Sequence, residues 1–176
     1  MYRLIHRGGS GGEWQKPKNM PQLIYGLLSQ RGIRSDEEAQ AFLHPHQSHL
    51  LDPHMLPGMK EAVGRILRAR EDCEDVYVFG DYDVDGVCAT ATLFSYLESI
   101  GANVFYKLPN RENEGYGLNS RVLKKFKEKG VGLVITVDNG ISAIDEVAYA
   151  NSIGLDIVIT DHHLPKLPFP LHTPHE

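Results

Sequence analysis

Seven side chains that can bind a metal ion lie in three short segments of the 176-residue chain. Each segment follows a run of strand-forming residues, and the side chains are Asp81, Asp83, Asp85, Asp138, Asp161, His162 and His163. Two carboxylates about 4 Å apart repel each other by roughly 4 kcal/mol at an effective dielectric constant of about 20, so a cluster of them is costly without a positive partner. Carboxylate oxygens with one or two imidazoles suit Mn²⁺ or Mg²⁺, whereas structural zinc favours thiolates. We therefore expect two Mn²⁺ or Mg²⁺ ions at these residues.

Phosphoester hydrolysis is the chemistry that two such ions would support. Paired divalent ions lower the pKa of a water nucleophile towards about 7 and stabilise the leaving oxygen of an in-line displacement. Residues 81–86 also match the start of a calcium-binding EF-hand loop, but Thr92 stands where that loop needs a bidentate Glu. A single Asp at a strand end is most often a helix cap. Capping alone does not account for five aspartates together with two adjacent histidines.

Four short runs of strand-forming residues alternate with three helical patterns in the second half of the chain. The predicted strands are 76–80, 104–108, 133–137 and 157–160, and the predicted helices are 87–100, 119–129 and 141–152. This alternation predicts right-handed crossovers and a mostly parallel sheet flanked by helices, which is an α/β fold. Ligands of such sheets bind beyond the carboxyl ends of the strands. The three acidic segments should therefore meet at one edge of the sheet.

A small helical segment is predicted to precede the α/β domain. Three helices are expected. The first covers 20–31, the second begins at the capping box of Ser35 and Glu38 and ends at Leu43, and the third covers 59–71. The predicted organisation is a flexible arm at 1–19, a helical segment at 20–72, an α/β domain at 73–165 and a Pro-rich tail at 166–176. Four further histidines are interpreted as loop residues rather than metal ligands, because no spacing places two on one helical face; they are His44, His46, His49 and His54.

The charge is distributed unevenly along the chain. The net charge is −5, but residues 1–72 carry 10 Lys and Arg against 8 Asp and Glu, whereas residues 73–176 carry 8 against 15. Acidity of this kind argues against a nucleic-acid partner unless metal ions neutralise it. The chain contains no apolar stretch of about 18 residues and no hydrophobic signal region, so we expect a cytoplasmic protein without a membrane segment. Cys73 and Cys88 have no spacing typical of a disulfide or thiolate site.

The three acidic segments resemble the motifs of a known enzyme family. Residues 81–86 (DYDVDG), 137–140 (VDNG) and 161–163 (DHH) resemble motifs one, two and three of the DHH phosphoesterase superfamily. Other phrases are similar to one branch of it, the RecJ-type single-strand-specific exonucleases; they are Pro109–Arg111, Glu114–Leu118, Arg31–Ile33 and the helix end at Phe42–Leu43. The resemblance extends over roughly residues 20 to 165 and implies the DHH phosphoesterase fold.

The resemblance implies a metal-binding role for five of the matching residues. Asp83 and Asp85 would each hold one ion, and Asp138 would bridge the two. His162 would ligate the second ion. Asp81 would support or join the first ion.

The resemblance also implies roles in catalysis and substrate binding. His163 would face the scissile phosphate, Arg111 is a candidate phosphate contact, and Asp161 is expected to cap and orient rather than ligate. The implied reaction is 5′ to 3′ degradation of single-stranded DNA to mononucleotides in recombination and repair.

The chain departs from the family pattern after Asp161–His163. Family members carry a fourth metal-binding motif and further domains, whereas this chain continues into the Pro-rich segment 166–176. We therefore expect an N-terminal portion of a larger enzyme, with a partial catalytic domain at 73–165 and weak or no activity by itself. Two alternatives stay open: a relative that acts on oligonucleotides, cyclic dinucleotides or pyrophosphate, and an inactive fragment that binds metal or phosphate.

Overall fold

The structure, a computed structural model, describes residues 14–109 and 117–165. The helices and strands follow one another in the order α1 (Gln22–Gln30), α2 (Asp36–Leu43), α3 (Met59–Glu71), β1 (Asp75–Phe79), α4 (Val84–Ser99), β2 (Asn103–Lys107), α5 (Ser120–Glu128), β3 (Leu133–Val137), α6 (Ile144–Ser152) and β4 (Asp156–Thr160). Two single turns of 3₁₀ helix, Gln47–His49 and Pro53–Met55, lie between α2 and α3. The predicted elements are all present. Helix α4 begins earlier than the predicted residue 87 because Asp83 caps it.

The four strands form one parallel sheet in the order β2-β1-β3-β4. The chain moves from β1 outward to β2 and then returns to place β3 on the other side of β1. This reversal is a topological switch point, where the loops after two neighbouring strands separate and leave a crevice. The α/β prediction is confirmed, and the loops after β1 and β3 lie at this crevice.

Apolar side chains cover both faces of the sheet. On one face, α3 and α4 contribute to a buried cluster that contains Ala69, Val76, Val78, Leu97, Leu133, Ile135, Val137 and Val158. On the other face, α5 and α6 contribute to a second cluster, whose members include Phe79, Val122, Leu123, Phe126, Val134, Val147, Ala150 and Ile157. All five residues of β3 are buried, as expected for a central parallel strand. The sheet is therefore a rigid base for the loops at its carboxyl edge.

The part of the chain that contains α1 and α2 forms a compact unit of its own, and the division falls between Met55 and Leu56. The rings of Trp14 and Tyr25 lie 5.1 Å apart, and the Trp14 indole N–H donates to Asp36 over 2.7 Å. Part of the arm predicted at 1–19 is therefore packed against α1 and α2, whereas residues 1–13 lie outside the described residues.

Helix α3 belongs with the sheet rather than with the two helices before it. Ala69 is fully buried in the cluster shared with α4, and Arg65 donates to Glu74 over 2.6 Å and to Asp156 over 2.5 Å. Amphipathic spacing shows which face of α3 is apolar but not what covers it, so the sequence alone predicts α3 as part of the helical segment at 20–72. The tail predicted at 166–176 lies outside the described residues.

Three further expectations from the sequence concern a membrane-spanning helix, the two cysteines and the four histidines between α2 and α3. Across residues 14–109 and 117–165, the structure contains no helix that is both long enough and apolar enough to cross a bilayer. Cys73 and Cys88 are free and exposed. The four histidines at residues 44, 46, 49 and 54 belong to none of the potential metal-binding groups found among the described residues.

Candidate metal centre

The loop after β1 presses Asp81 against the start of α4. Asp81 is buried and accepts a hydrogen bond from the backbone N–H of Tyr82 over 2.7 Å. A Cβ atom at Gly86 would lie 2.6 Å from the backbone N, the backbone O and the Cβ of Asp81. Only glycine permits this close approach. Asp83 follows as the N-cap of α4 and accepts from the Gly86 N–H over 3.0 Å, so both carboxylates are fixed in one turn.

The loop after β3 holds Asp138 in an unusual backbone conformation. Its φ is +61°, in the left-handed region that is uncommon for residues other than glycine, although asparagine and aspartate adopt it more often than most. The backbone N–H of Asp138 donates to the carbonyl of Thr160 over 3.0 Å, which ties the loop to β4. The Asn139 side chain donates to the carbonyls of Phe79 (3.2 Å) and Val137 (2.9 Å), which ties it to β1. Strain at Asp138 is thus held by both neighbouring strands.

The segment after β4 orients His163 through Asp161. One oxygen of Asp161 accepts from the Ile141 N–H over 3.0 Å, and the other accepts from the His163 N–H over 3.1 Å. The same second oxygen lies 2.7 Å from Nδ1 of His163. Because Nδ1 is engaged, Nε2 is the ring nitrogen left for a ligand or substrate.

These three loops bring four of the predicted metal ligands, together with His163, into two groups that share Asp138. One group is Asp81, Asp83 and Asp138, and the other is Asp138, His162 and His163; within each, the potential ligand atoms lie within 4.8 Å of one another. His162 Nε2 lies 2.9 Å from an Asp138 carboxylate oxygen, and the centroids of the two histidine rings are 4.7 Å apart. Asp81 and Asp138 are buried, whereas Asp83 and both histidines are exposed. The arrangement has a buried acidic floor and an open, imidazole-lined side.

Electrostatics within the cluster favour a bound cation. Burial, and then the neighbouring charge of Asp83, raise the pKa of Asp138 above its ordinary value. The backbone N–H of Gly86 is the main cause of the lowered pKa of Asp83, which keeps Asp83 ionised. A positive ion between the two carboxylates would remove the repulsion that makes ionised Asp138 unfavourable. Carboxylate oxygens with imidazole nitrogens, and no thiolate, are the donors that suit Mn²⁺ or Mg²⁺.

Asp161 and His163 form a polarised pair at the open side of the cluster. The hydrogen bond with Asp161 and its negative charge raise the pKa of His163. Burial alone would raise the pKa of Asp161, but the N–H groups of Ile141 and His163 and the His163 ring outweigh it, so that this pKa is lowered. A protonated imidazole at His163 would carry its remaining N–H outward.

Two of the predicted residues are not part of this arrangement as the structure describes it. Asp85 is exposed in the first turn of α4 and belongs to neither group, since residues two apart on a helix do not share a face. Arg111 lies outside the described residues. The role of each remains a prediction.

Sequence reasoning assigned no role to Asn139 or to the glycines around the site. Asn139 is buried and links the loops after β1 and β3. Gly140 has φ +105°, and a Cβ there would lie 2.8 Å from Oγ1 of Thr136. The available signal was an Asp-Asn-Gly triplet at a strand end, a composition that favours a turn needing positive φ.

A cavity of ≈ 400 Å³ opens beside the cluster. Its lining includes Gly117, Leu118, Ser142, Glu146, Asp161 and His163. The cavity therefore joins the start of α5 to the open, imidazole-lined side of the cluster.

Comparison with known proteins agrees with the motif order. A family model described as the DHH family, N-terminal domain, matches residues 75–174. The single-stranded-DNA-specific exonuclease RecJ of Bacillus subtilis is 43% identical over 143 residues, which cover 81% of this chain and 18% of that protein.

Two solved structures are similar to this chain in fold. The crystal structure of exonuclease RecJ bound to manganese is 33% identical with a TM-score of 0.61, and the match covers 69% of this chain and 31% of the other. RecJ of Thermus thermophilus in complex with Mn²⁺ is 29% identical with a TM-score of 0.58, covering 81% and 19%. This chain thus spans less than a third of each of these relatives. Since the family match covers more than half of the chain and contains all three strand-end segments, the chain belongs to the DHH family.

Proposed function

We propose that this chain supplies metal-binding and catalytic residues of a 5′ to 3′ exonuclease that degrades single-stranded DNA in recombination and repair. The observation that carries the proposal is the convergence of the three strand-end segments on Asp138, which is a member of both potential metal-binding groups. The name of the B. subtilis relative supports single-stranded DNA as the substrate. Manganese in the two solved relatives supports Mn²⁺ as a metal.

Two ions would be held by residues from all three loops. Asp81 and Asp83 would bind on one side of Asp138, and His162 would bind on the other. Asp85 is retained as a ligand of the second ion, as its place in the first motif implies. When bound, such ions supply electrophilic polarisation of a phosphate and activation of a water nucleophile.

The residues around the cluster would position the substrate. One carboxylate oxygen of Asp161 fixes His163, because it accepts from the His163 backbone N–H over 3.1 Å and lies 2.7 Å from Nδ1 of the ring. The outward N–H of protonated His163 could then donate to a phosphate oxygen, or give its proton to a leaving oxygen. The Asn139 side chain holds the loop after β3 against the end of β1 by donating to the carbonyls of Phe79 and Val137, and this would keep Asp138 near the loop that carries Asp83.

A nuclease assay with the purified protein and Mn²⁺ tests the proposal. We expect Mn²⁺ to raise the thermal stability of the protein. Release of mononucleotides from single-stranded DNA should be weak for this chain by itself, and His163→Ala should lower it by about 10²-fold or more. His54→Ala is the matched control, because His54 is also paired with an Asp two residues away but lies outside the cluster. A protein that gains no thermal stability from Mn²⁺ and releases no nucleotide would contradict the assignment.

A second candidate is a phosphoesterase of the same family that acts on oligonucleotides, cyclic dinucleotides or pyrophosphate. The observation in its favour is the cavity of ≈ 400 Å³ beside His163, whose volume would accommodate a small ligand. The same assay separates the two, since faster turnover of a dinucleotide than of a long single strand would favour this candidate over the exonuclease.

A further inference from the structure

Helix α5 carries most of the positive charge in the acidic part of the chain. Residues 73–176 contain 8 Lys and Arg against 15 Asp and Glu. Five of those eight basic residues lie within residues 121–129, where Glu128 is the one acid; they are Arg121, Lys124, Lys125, Lys127 and Lys129. Such a concentration is unexpected in a region whose other charges are mostly negative.

The packing of α5 turns these charges to the outside. Val122, Leu123 and Phe126 are buried against the sheet, whereas all five basic residues are exposed. Lys127 donates to the carbonyl of Gly154 over 2.6 Å, and Lys124 lies 3.9 Å from Glu128. Among the residues that the structure describes, Arg121 and Lys125 form no ion pair. These two are four residues apart and therefore neighbours on one face of the helix.

The basic face begins beside the candidate metal centre. Gly117 and Leu118 line the cavity that also contains His163, and Asn119 then caps α5. Because the strands are parallel, α5 runs back from their carboxyl edge towards β3. From Arg121 to Lys129 the charges therefore extend about 12 Å away from the site.

The outward face of α5 supplies positive charge, which the metal centre lacks when no cation is bound. The acidic cluster repels a polyanion until cations bind, whereas exposed Lys and Arg attract phosphates at any metal concentration. A charged helix face can simply be solvated, but here the charge starts three residues after Leu118, which lines the cavity, and Glu128 is the one acidic residue within 121–129. We propose that the outward face of α5, through Arg121 and Lys125, contacts the phosphate backbone of a single-stranded nucleic acid bound at the metal centre. This proposal rests on the proposed function and adds a binding surface to it.

The salt dependence of oligonucleotide binding tests the proposed role of the outward face of α5. Anisotropy of a fluorescent oligothymidylate would be measured with the purified protein at several NaCl concentrations, with EDTA present so that no hydrolysis occurs. Each phosphate contact contributes about 0.7 to the slope of log K against log salt for single strands. Arg121→Gln/Lys125→Gln should therefore weaken binding and reduce this slope by about 1.4.

The matched control removes the same charges from the opposite face of the sheet. Lys60→Gln/Arg68→Gln replaces one Lys and one Arg at exposed positions of α3, and it should leave the slope unchanged. The proposal is overturned by an unchanged slope in the α5 variant, by an equal loss in the control, or by polyglutamate competing as well as the oligonucleotide. Circular dichroism checks that both variants keep their helices. Because the metal-free measurement is independent of Mn²⁺ binding, failure of this proposal is distinguishable from failure of the metal-centre assignment.

Discussion

Asp138 combines properties that are unfavourable in a metal-free protein. Its carboxylate is buried beside Asp83, and its backbone has positive φ. Such costs persist when the surrounding structure enforces them, and they are common at functional sites. The hydrogen bonds of Asn139 to β1 and β3, and of the Asp138 N–H to β4, provide that enforcement.

Asp138→Asn should therefore stabilise the metal-free protein. The folded-state pKa of Asp138 is raised, so the ionised form disfavours folding at neutral pH, and this penalty disappears as the pH falls through that pKa. Asparagine removes the charge and tolerates positive φ. We expect a higher Tm in EDTA at pH 7, with about 2–4 °C for each kcal/mol gained, and a smaller gain as the pH falls towards the unfolded-state value of about 3.9. A variant less stable than wild type at pH 7 would contradict this explanation.

Asp161 orients the His163 side chain and is not expected to bind a metal ion or the substrate itself. Asp161→Asn should lower the pKa of His163 towards its ordinary value, because the hydrogen bond and the negative charge that raise it are lost. NMR titration of the histidine ring signals in EDTA measures this shift. Mn²⁺ affinity should stay close to that of wild type, because Asp161 orients His163, which is assigned to the substrate phosphate and not to an ion.

Asp52→Asn is the control for the Asp161 variant. Asp52 pairs with His54 over 2.9 Å on the surface, in the same two-residue spacing, but lies outside the metal-binding groups. It should change neither the His163 titration nor Mn²⁺ affinity. Equal effects of the two variants would show that Asp161 has no specific role.

At the scale of elements, the site depends on how closely α4 approaches the end of β1. Gly86→Ala should destabilise the protein by about 1–3 kcal/mol, since the added Cβ would lie 2.6 Å from the Asp81 backbone. Gly64→Ala is the matched control within α3, where the nearest atom to an added Cβ is an Arg68 side-chain nitrogen at 4.0 Å. It should be neutral or stabilising by up to about 1 kcal/mol. Chemical denaturation of both variants compares them, and equal stabilities would refute the close-approach argument.

Periodicity and cap chemistry predicted the elements of the sheet domain with small errors at their ends. Strand-forming runs and helical spacing were enough, because each is a local signal. Gly101, Gly130 and Gly154 each follow a helix and have positive φ, which suits a left-handed C-terminal cap. The domain boundary predicted at residue 72 differs from the division in the structure. Helix α3 is grouped with the sheet by contacts that are distant in sequence: Arg65 pairs with Asp156, and Ala69 lies in the same buried cluster as Val158. Such contacts leave no local pattern in the sequence.

At the scale of the whole molecule, the candidate site was predictable as a set of residues but not as a geometry. A parallel sheet brings strand ends to one edge, so the convergence of the segments at 81–83, 138 and 161–163 followed from fold class. The two overlapping groups, the exposed position of Asp85 and the linking role of Asn139 depend on side-chain directions and on loops with positive φ. Side-chain directions and loop conformations are not encoded in the spacing of residues along the sequence.

The central claim is that Asp138 is shared by two metal ions. Titration calorimetry with MnCl₂ tests it most directly, using wild type, Asp138→Asn and the charge-matched control Glu98→Gln, which changes an exposed residue in the last turn of α4. We predict two bound ions for wild type and for Glu98→Gln, and loss of both binding events in Asp138→Asn because the shared ligand serves each ion. Undiminished binding of two ions by Asp138→Asn would contradict the account.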